Sequence, residues 1–301
     1  MVRGGVQALV KTCTSTNIHC AFKDNPYYFT TEESIKACQE AGFECIDIDL
    51  HSPSLAVGPL ADDRNWQKWA EHIRDLCESL KVKKPYAHAS FYVHQNRTER
   101  SEELTKRSIE AAGILGVNWV TVHPYSVTGR AWFSRRDSLE DNISHMMQYA
   151  EIASKYNVGI ALENMVEIAE GRRFGSSAED LLELNSRLND PIFGLCWDFG
   201  HGERSGCNTV ESLRMVGPYL RNVHVHDFTV NRTGFDHTIP FLGKTDWYSI
   251  MPVMSEIKYK GEWNLECPLY TRNLPVELRK TALRLAYETD RNMCSPENYS
   301  A

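Results

Sequence analysis

Gly194-Leu195-Cys196-Trp197-Asp198-Phe199-Gly200-His201-Gly202-Glu203 is the stretch from which the fold can be worked outward. A short apolar run stops at an aspartate, and a histidine follows three positions later. Apolar runs of this length between turn residues read as buried strands. Asp198 then closes a strand and His201 sits on the turn after it, so a carboxylate and an imidazole can reach a common point such as a metal ion or a sugar hydroxyl. A plainer reading makes Asp198 a helix cap and His201 a surface residue. What separates the two is whether other strands in the chain end the same way.

They do. The pattern predicts strands at Val6–Thr14, Cys45–Leu50, Pro85–Ala89, Trp119–Pro124, Gly159–Asn164, Gly194–Asp198, Asn222–Asp227 and Glu262–Pro268. Helical segments alternate with them. Thr30-Thr31-Glu32-Glu33 opens a helix that stops at Gly42, a cap followed by a glycine stop. Asp62–Lys81 carries Trp66, Trp69, Ile73, Leu76 and Leu80 at helical spacing, and the two tryptophans read as packing against the sheet. Further helices are expected at Glu102–Gly116, Ser138–Tyr156 with Ser138 as cap, Ser177–Leu188, Thr209–Leu220, Asp246–Tyr259 and Val276–Met293. Alternation of this kind specifies parallel βαβ units. Eight units in about 250 residues or a little more is the usual size of a closed (β/α)8 TIM barrel of the α/β class. A doubly wound open sheet would carry a Gly-rich phosphate turn after its first strand, and the segment after Val10 has none. The expectation is one TIM-barrel domain over residues 1–301. The loops Val127–Arg136 and Thr229–Lys244 are long enough to lie over the barrel mouth.

Composition narrows the function. The chain has 301 residues, 42% hydrophobic and 24% charged, with a net charge of −7. Nucleic-acid affinity comes largely from Lys and Arg on phosphates, so a dedicated nucleic-acid partner is not expected. Nine cysteines without a CxxC pair read as reduced thiols, several of them buried. No apolar run reaches membrane-spanning length, and no signal-peptide apolar region follows Met1. The expectation is a cytoplasmic protein with no membrane partner, and with room for a homo-oligomer.

In this barrel class catalytic residues come from the carboxyl ends of the strands. Here those ends are His88, His123, Glu163, Asp198, His226 and Glu266. Strand periodicity adds a test. The parity that turns Glu163, Asp198, His226 and Glu266 inward also turns in Ala161, Cys196, His224 and Asn264. The opposite parity carries Ile160, Leu162, Leu195, Trp197, Val223, Val225, Trp263 and Leu265, which suit the layer beneath the helices. A single histidine is more often a satisfied core residue, and His224, one layer deeper than His226, is expected to be one. Six unrelated strand-end residues are a poorer account than one shared site. Buried carboxylates need a partner, and carboxylates with imidazoles in a barrel mouth suit a divalent cation.

The chain resembles the xylose isomerase-like TIM barrel superfamily over nearly its whole length. The matching pieces are His123-Pro124, Leu162-Glu163-Asn164, Asp198-Phe199-Gly200-His201, His224-Val225-His226-Asp227, Asp236-His237 with Pro240 and Gly243, Asp246-Trp247, and Leu265-Glu266. That superfamily holds sugar isomerases and epimerases, inosose dehydratases and endonuclease IV. The resemblance to its ketose 3-epimerases implies one divalent metal ion (Mn, Mg, Co or Zn) on Glu163, Asp198, His226 and Glu266, with the two glutamates as acid–base pair. It implies substrate contacts at His201 and Arg232, and the substrate-binding set is completed by His88, His123 and His237. Two features depart from the pattern. Asp47 and Asp49 stand where a Glu is common after the second strand, and the segment from Asp236 to Gly243 is longer than the family's compact form.

Three functions follow as expectations. The first is a sugar or sugar phosphate isomerase or epimerase working through an enediolate, with a small carbohydrate as partner; a keto-polyol dehydratase shares its first step. The second is an endonuclease IV-like multinuclear zinc phosphodiesterase, for which His88, His123, His201, His226 and His237 supply enough imidazoles beside Glu163, Asp198, Asp236 and Glu266. The third is a sugar-binding barrel without turnover, disfavoured by the two intact acid–base candidates.

Overall fold

Eight parallel strands close on themselves in sequence order, β8 returning to pair with β1. The computed structural model describes residues 11–19, 29–55, 58–92, 97–127, 133–167, 172–229 and 237–295. The strands are β1 (Lys11–Ser15), β2 (Cys45–Asp49), β3 (Lys83–His88), β4 (Trp119–Val122), β5 (Gly159–Glu163), β6 (Phe193–Asp198), β7 (Leu220–Val225) and β8 (Glu262–Leu265). The helices are α1 (Thr31–Ala41), α2 (Trp66–Ser79), α3 (Glu99–Leu115), α4 (Arg135–Tyr156), α5 (Ala178–Leu188), α6 (Phe199–Arg204), α7 (Thr209–Val216), α8 (Trp247–Glu256) and α9 (Val276–Met293). This is the (β/α)8 barrel. The expected strand residues Val6–Val10 lie outside the described residues.

Local chemistry explains most boundaries. Thr30 caps α1 through a reciprocal capping box with Glu33, and Gly42 ends it at φ +118°. The cap of α4 is Ser134, not Ser138 as the sequence pattern predicts. Ser134 accepts from the Asp137 amide. Ser138 is buried one turn later, where its hydroxyl donates to the Ser134 carbonyl and accepts from the Val127 amide. The helix expected over Thr209–Leu220 ends at Val216. Gly217-Pro218-Tyr219 tightens into a 3₁₀ turn, and Leu220 already belongs to β7.

The two strand faces separate as periodicity requires. Ile160, Leu162, Leu195, Trp197, Val223, Val225, Trp263 and Leu265 are buried in the continuous apolar layer shared with the helices. Inside the barrel, Cys13, Cys45 and Tyr86 form a small apolar plug at the amino ends of the strands, with Trp119 against it. A polar layer lies above the plug. There the Asn264 amide donates to Asp47 Oδ2 (2.7 Å) and to Asn222 Oδ1 (3.4 Å), and the Asn222 amide donates to Thr121 Oγ1 (3.1 Å). Hydrogen bonds between buried polar groups of this kind tie the barrel interior together under the site. The eight described cysteines are free thiols, and seven are buried. No helix among the described residues is long and apolar enough to cross a membrane.

Candidate metal and substrate site

The carboxyl ends of β3 to β8 converge. His88, Glu163, Asp198, His201, His226 and Glu266 are all buried, and His123 is nearly so. His88 Nε2 and His123 Nε2 lie 3.1 and 3.0 Å from Glu163 Oε2. Asp198 Oδ1 and Oδ2 lie 2.9 and 3.1 Å from His226 Nε2. His237 stacks on His226 with ring centroids 3.7 Å apart. Arg232 and Asp236 fall outside the described residues.

His224 is buried as its depth predicts, but it is not the satisfied core histidine expected, since its Nδ1 has no hydrogen-bond partner. Its Nδ1 lies 3.1 Å from Glu163 Oε1 and 3.1 Å from Glu266 Oε2. The metal-capable atoms therefore form overlapping groups, each within 4.8 Å: Glu163, Asp198, His224 and Glu266; Asp198, His201, His226 and His237; His88, His123 and Glu163; His88, His224 and Glu266. Glu163, Asp198 and Glu266 share a group with His224, while His226 shares one with Asp198.

Three histidines are wired in the manner of metal ligands. The Nδ1 atoms of His88, His201 and His226 face the carbonyls of Ala89 (2.9 Å), Asn164 (2.9 Å) and Asp227 (3.3 Å). A carbonyl only accepts, so Nδ1 carries a proton, and in the neutral ring Nε2 is left as a lone pair. For His88 and His226 that lone pair then faces a carboxylate oxygen, and two acceptors at about 3 Å need a positive charge between them. Burial pushes the His88 and His201 imidazoles down, yet the carboxylates win and raise both to about 9, with Glu163 the main partner of His88 and Asp198 that of His201. Burial likewise pushes the Glu163 carboxyl up, but His224 and His123 hold it well below the usual carboxylate range. Glu163 Oε1 and His224 Nδ1 are buried without a hydrogen-bond partner. Orphaned oxygen and nitrogen donors at one point, with a demand for positive charge, fit a divalent cation.

The backbone is shaped to deliver these side chains. Asp198 does cap a helix, since its Oδ1 accepts from the His201 amide (2.6 Å) at the start of α6. The cap and the site are one arrangement, because the short helix brings His201 back over Asp198. Asn164 clamps β5 to β6, accepting from the Asp198 amide (2.5 Å) and donating to its carbonyl (2.9 Å). Gly200 makes room for His226, for a Cβ there would stand 1.9 Å from His226 Cε1. Asp227 organises the long segment after β7. Its carboxylate accepts from the amides of Phe228 (2.8 Å), Phe241 (3.0 Å) and Thr245 (3.0 Å) and from the Trp247 indole (3.0 Å). A Cβ at Gly243 would stand 2.1 Å from Asp227 Oδ1. This gives the motif residues Asp227, Gly243 and Trp247 a common role, which is to fold the segment that carries His237.

Above the carboxylates lies a cavity of about 380 Å³, at the small end of the range for small-molecule sites. Glu163, Glu266, His88, His123, His201 and His237 line it together with Asn17, Asp49, His51, Phe91, Arg173 and Arg204. Asp49 supplies the carboxylate after the second strand, and Asp47 belongs to the polar layer beneath. Phe91 stacks on His51 with centroids 3.8 Å apart and leans on His123 at 4.4 Å. Sequence reasoning missed His51, Phe91 and Arg173, which sit in loops with no periodicity to mark them, and Arg204, which ends the six-residue α6, too short to show a period.

Known proteins place this architecture. An uncharacterised protein of Methanocaldococcus jannaschii is 27% identical over 206 residues, 66% of this chain and 68% of that one. A probable endonuclease 4 of Mycoplasmopsis pulmonis is 24% identical over 193 residues, 63% of this chain and 66% of that one. Among solved structures, the D-psicose 3-epimerase with D-tagatose from Clostridium cellulolyticum H10 superposes with a TM-score of 0.72 at 12% identity, covering 95% of this chain and 99% of that one. The family model of the xylose isomerase-like TIM barrel matches residues 35–288, and the chain belongs to that family.

Proposed function

We propose that the chain is a divalent-metal-dependent isomerase or epimerase of a small ketose-type carbohydrate, sugar or sugar phosphate. The observation that carries this reading is the approach of Glu163, at the end of β5, and Glu266, just after β8, to within 3.1 Å of one His224 nitrogen beneath a cavity of small-molecule size. Glu163, Asp198, His226 and Glu266 are the proposed holders of the ion, and the structure puts His224 beside them as a further donor. A divalent ion there would polarise a substrate carbonyl and so acidify the neighbouring carbon.

The rest of the chemistry belongs to the side chains. One glutamate takes the proton from the carbon beside the carbonyl, leaving the enediolate, and the other returns a proton from the opposite side. His88, His123, His201 and His237 line or overhang the same cavity and are suited to holding substrate hydroxyls, with Arg232 a further candidate from the sequence. Phe91, stacked on His51, offers an apolar face to a sugar ring. A keto-polyol dehydratase would use the same proton abstraction and differ only in the fate of the enediolate. The test is a panel of ketoses, ketose phosphates and inososes incubated with the metal-loaded protein in D₂O. Deuterium gained at the carbon beside the carbonyl supports the reading, and its absence across the panel opposes it.

A specific observation also favours a second reading. The groups His88–His123–Glu163 and Asp198–His201–His226–His237 hold more donors than one ion needs, and probable endonuclease 4 sequences are among the relatives. A multinuclear zinc phosphodiesterase would use them. The net charge of −7 weighs against a nucleic-acid substrate. Metal content separates the readings: one ion per chain supports the isomerase, whereas two or three zincs with nicking of duplex containing an abasic site support the phosphodiesterase.

A further inference from the structure

Arg173 and Arg204 are the only Lys or Arg side chains among the described residues lining the cavity. Arg173 is half-buried, and Arg204 is exposed at the end of α6. Among the described residues, neither forms a side-chain hydrogen bond or ion pair. The contrast with the adjoining arginine is direct, since Arg172 pairs with Glu167 (3.9 Å) and Asp180 (3.8 Å). Arg135 likewise pairs with Asp180 and Glu183. Glu167, Asp180 and Glu183 are thus already engaged by other arginines, and Arg173 is left facing the cavity.

Its backbone is fixed. The Phe174 amide donates to Ser126 Oγ (2.8 Å), the Ser176 amide donates to the Arg173 carbonyl (3.3 Å), and the Met165 amide donates to the Gly175 carbonyl (3.0 Å). Phe174 is fully buried beside it. Arg204 is carried by the helix that Asp198 caps, and the Ser205 hydroxyl accepts from the Glu167 amide (2.9 Å). Burial lowers the Arg173 guanidinium below its ordinary value against the pull of Glu163. A guanidinium that has lost water and gained no partner is disfavoured unless a ligand supplies the counter-charge. Its planar fork matches a phosphate or a carboxylate.

We infer that Arg173, with Arg204 at the rim, binds an anionic group of the substrate, so that the natural substrate is a phosphorylated or carboxylate-bearing ketose and not a neutral sugar. This rests on the isomerase reading for the word ketose, while the anion subsite stands on the two arginines alone. Phosphate and carboxylate share the chemistry, and the experiment separates them.

The experiment is calorimetric titration of the full chain, metal-free and loaded with Mn²⁺. The probes are D-fructose, D-fructose 1-phosphate, D-fructose 6-phosphate, D-fructuronate and inorganic phosphate. At least one anionic ketose is expected to bind about 10-fold or more tighter than D-fructose, the scale of a charge-assisted pair. Arg173→Gln should reduce that preference to about 2-fold or less, and Arg173→Lys should keep part of it. If Arg173→Gln does not fold, Arg204→Gln carries the same comparison, with a smaller expected loss. Binding of no anionic probe overturns the inference. So does an anion preference that survives in the Arg173→Gln, Arg204→Gln double variant, because the preference then belongs to the metal. Deuterium exchange into a neutral ketose without anion preference removes this inference and leaves the isomerase reading standing. Anion binding at Arg173 with no exchange in any ketose does the reverse.

Discussion

If His226 helps to hold the proposed ion, replacing Gly200 with alanine should disable metal binding without replacing a ligand. The added Cβ would stand 1.9 Å from His226 Cε1 and 2.5 and 2.6 Å from its two ring nitrogens. Ordinary carbon contacts begin near about 3.5 Å, so the ring would have to move by roughly 1.5 Å. It has nowhere to go. His237 stacks on it at 3.7 Å, its Nδ1 is tied to the Asp227 carbonyl, and its Nε2 faces Asp198. Ligand distances tolerate only about 0.2 Å, and losing a group that orients a ligand costs about 10–100-fold in metal affinity. Overpacking should add about 1–3 kcal/mol of destabilisation. The control is Gly206→Ala. Nothing lies within 4 Å of that Cβ, but φ is +75°, so about 1–2 kcal/mol of backbone strain is expected with no loss of metal. The assay is Mn²⁺ titration beside thermal unfolding for both variants. A Gly200→Ala protein that binds Mn²⁺ with the parent affinity would refute the placement of His226 at a metal site.

Three further outcomes are expected. Asp227→Asn turns an amide nitrogen toward donors that the carboxylate now satisfies, and leaving one or two unpaired should lower unfolding stability by about 2–3 kcal/mol in denaturant titration. Asp290 is fully buried on α9, accepts from the Cys13 amide (3.2 Å), and is pushed well above the carboxylate range by burial. Its folded form keeps a proton that the unfolded chain loses above its ordinary pKa, so its contribution to stability falls as pH rises from the unfolded toward the folded value. Asp290→Asn keeps an acceptor for Cys13 and removes that fall. Its melting temperature should exceed the parent's at pH 7, with the gap closing below about pH 4, where the unfolded carboxyl also keeps its proton; an unchanged gap would contradict the burial argument. Asn164→Ala removes both bonds of the β5–β6 clamp and should weaken Mn²⁺ binding and lower the melting temperature together.

The barrel was legible because its evidence is periodic. Strands ending in polar residues recur between capped helices, and α9 runs from Val276 to Met293 as its spacing predicts. The convergence of the strand ends was legible for the same reason, since parity alone predicts that Glu163, Asp198, His226 and Glu266 face inward together, and all four are buried. Errors arose where two positions carry the same local chemistry. Ser134 and Ser138 both precede an aspartate by three residues, and only packing against Val127 decides which one caps α4. His224 reads as core because depth is visible in sequence and lateral distance is not. Its approach to both glutamates depends on barrel closure, which brings β7 beside β8 and across from β5. Arg173 and Arg204 were invisible because an unpaired charge is a statement about neighbours, and neither the loop that carries Arg173 nor the six-residue α6 that ends at Arg204 has a period to reveal them.

The most direct measurement of the central claim is deuterium wash-in from D₂O for the parent, Glu163→Gln and Glu266→Gln, using whichever ketose of the panel the metal-loaded parent exchanges. Gln keeps an oxygen at each position and loses the base. If the two glutamates move the proton, each variant should lose exchange by about 10²–10⁴-fold while still binding the sugar. Exchange at the parent rate in both variants would contradict the account.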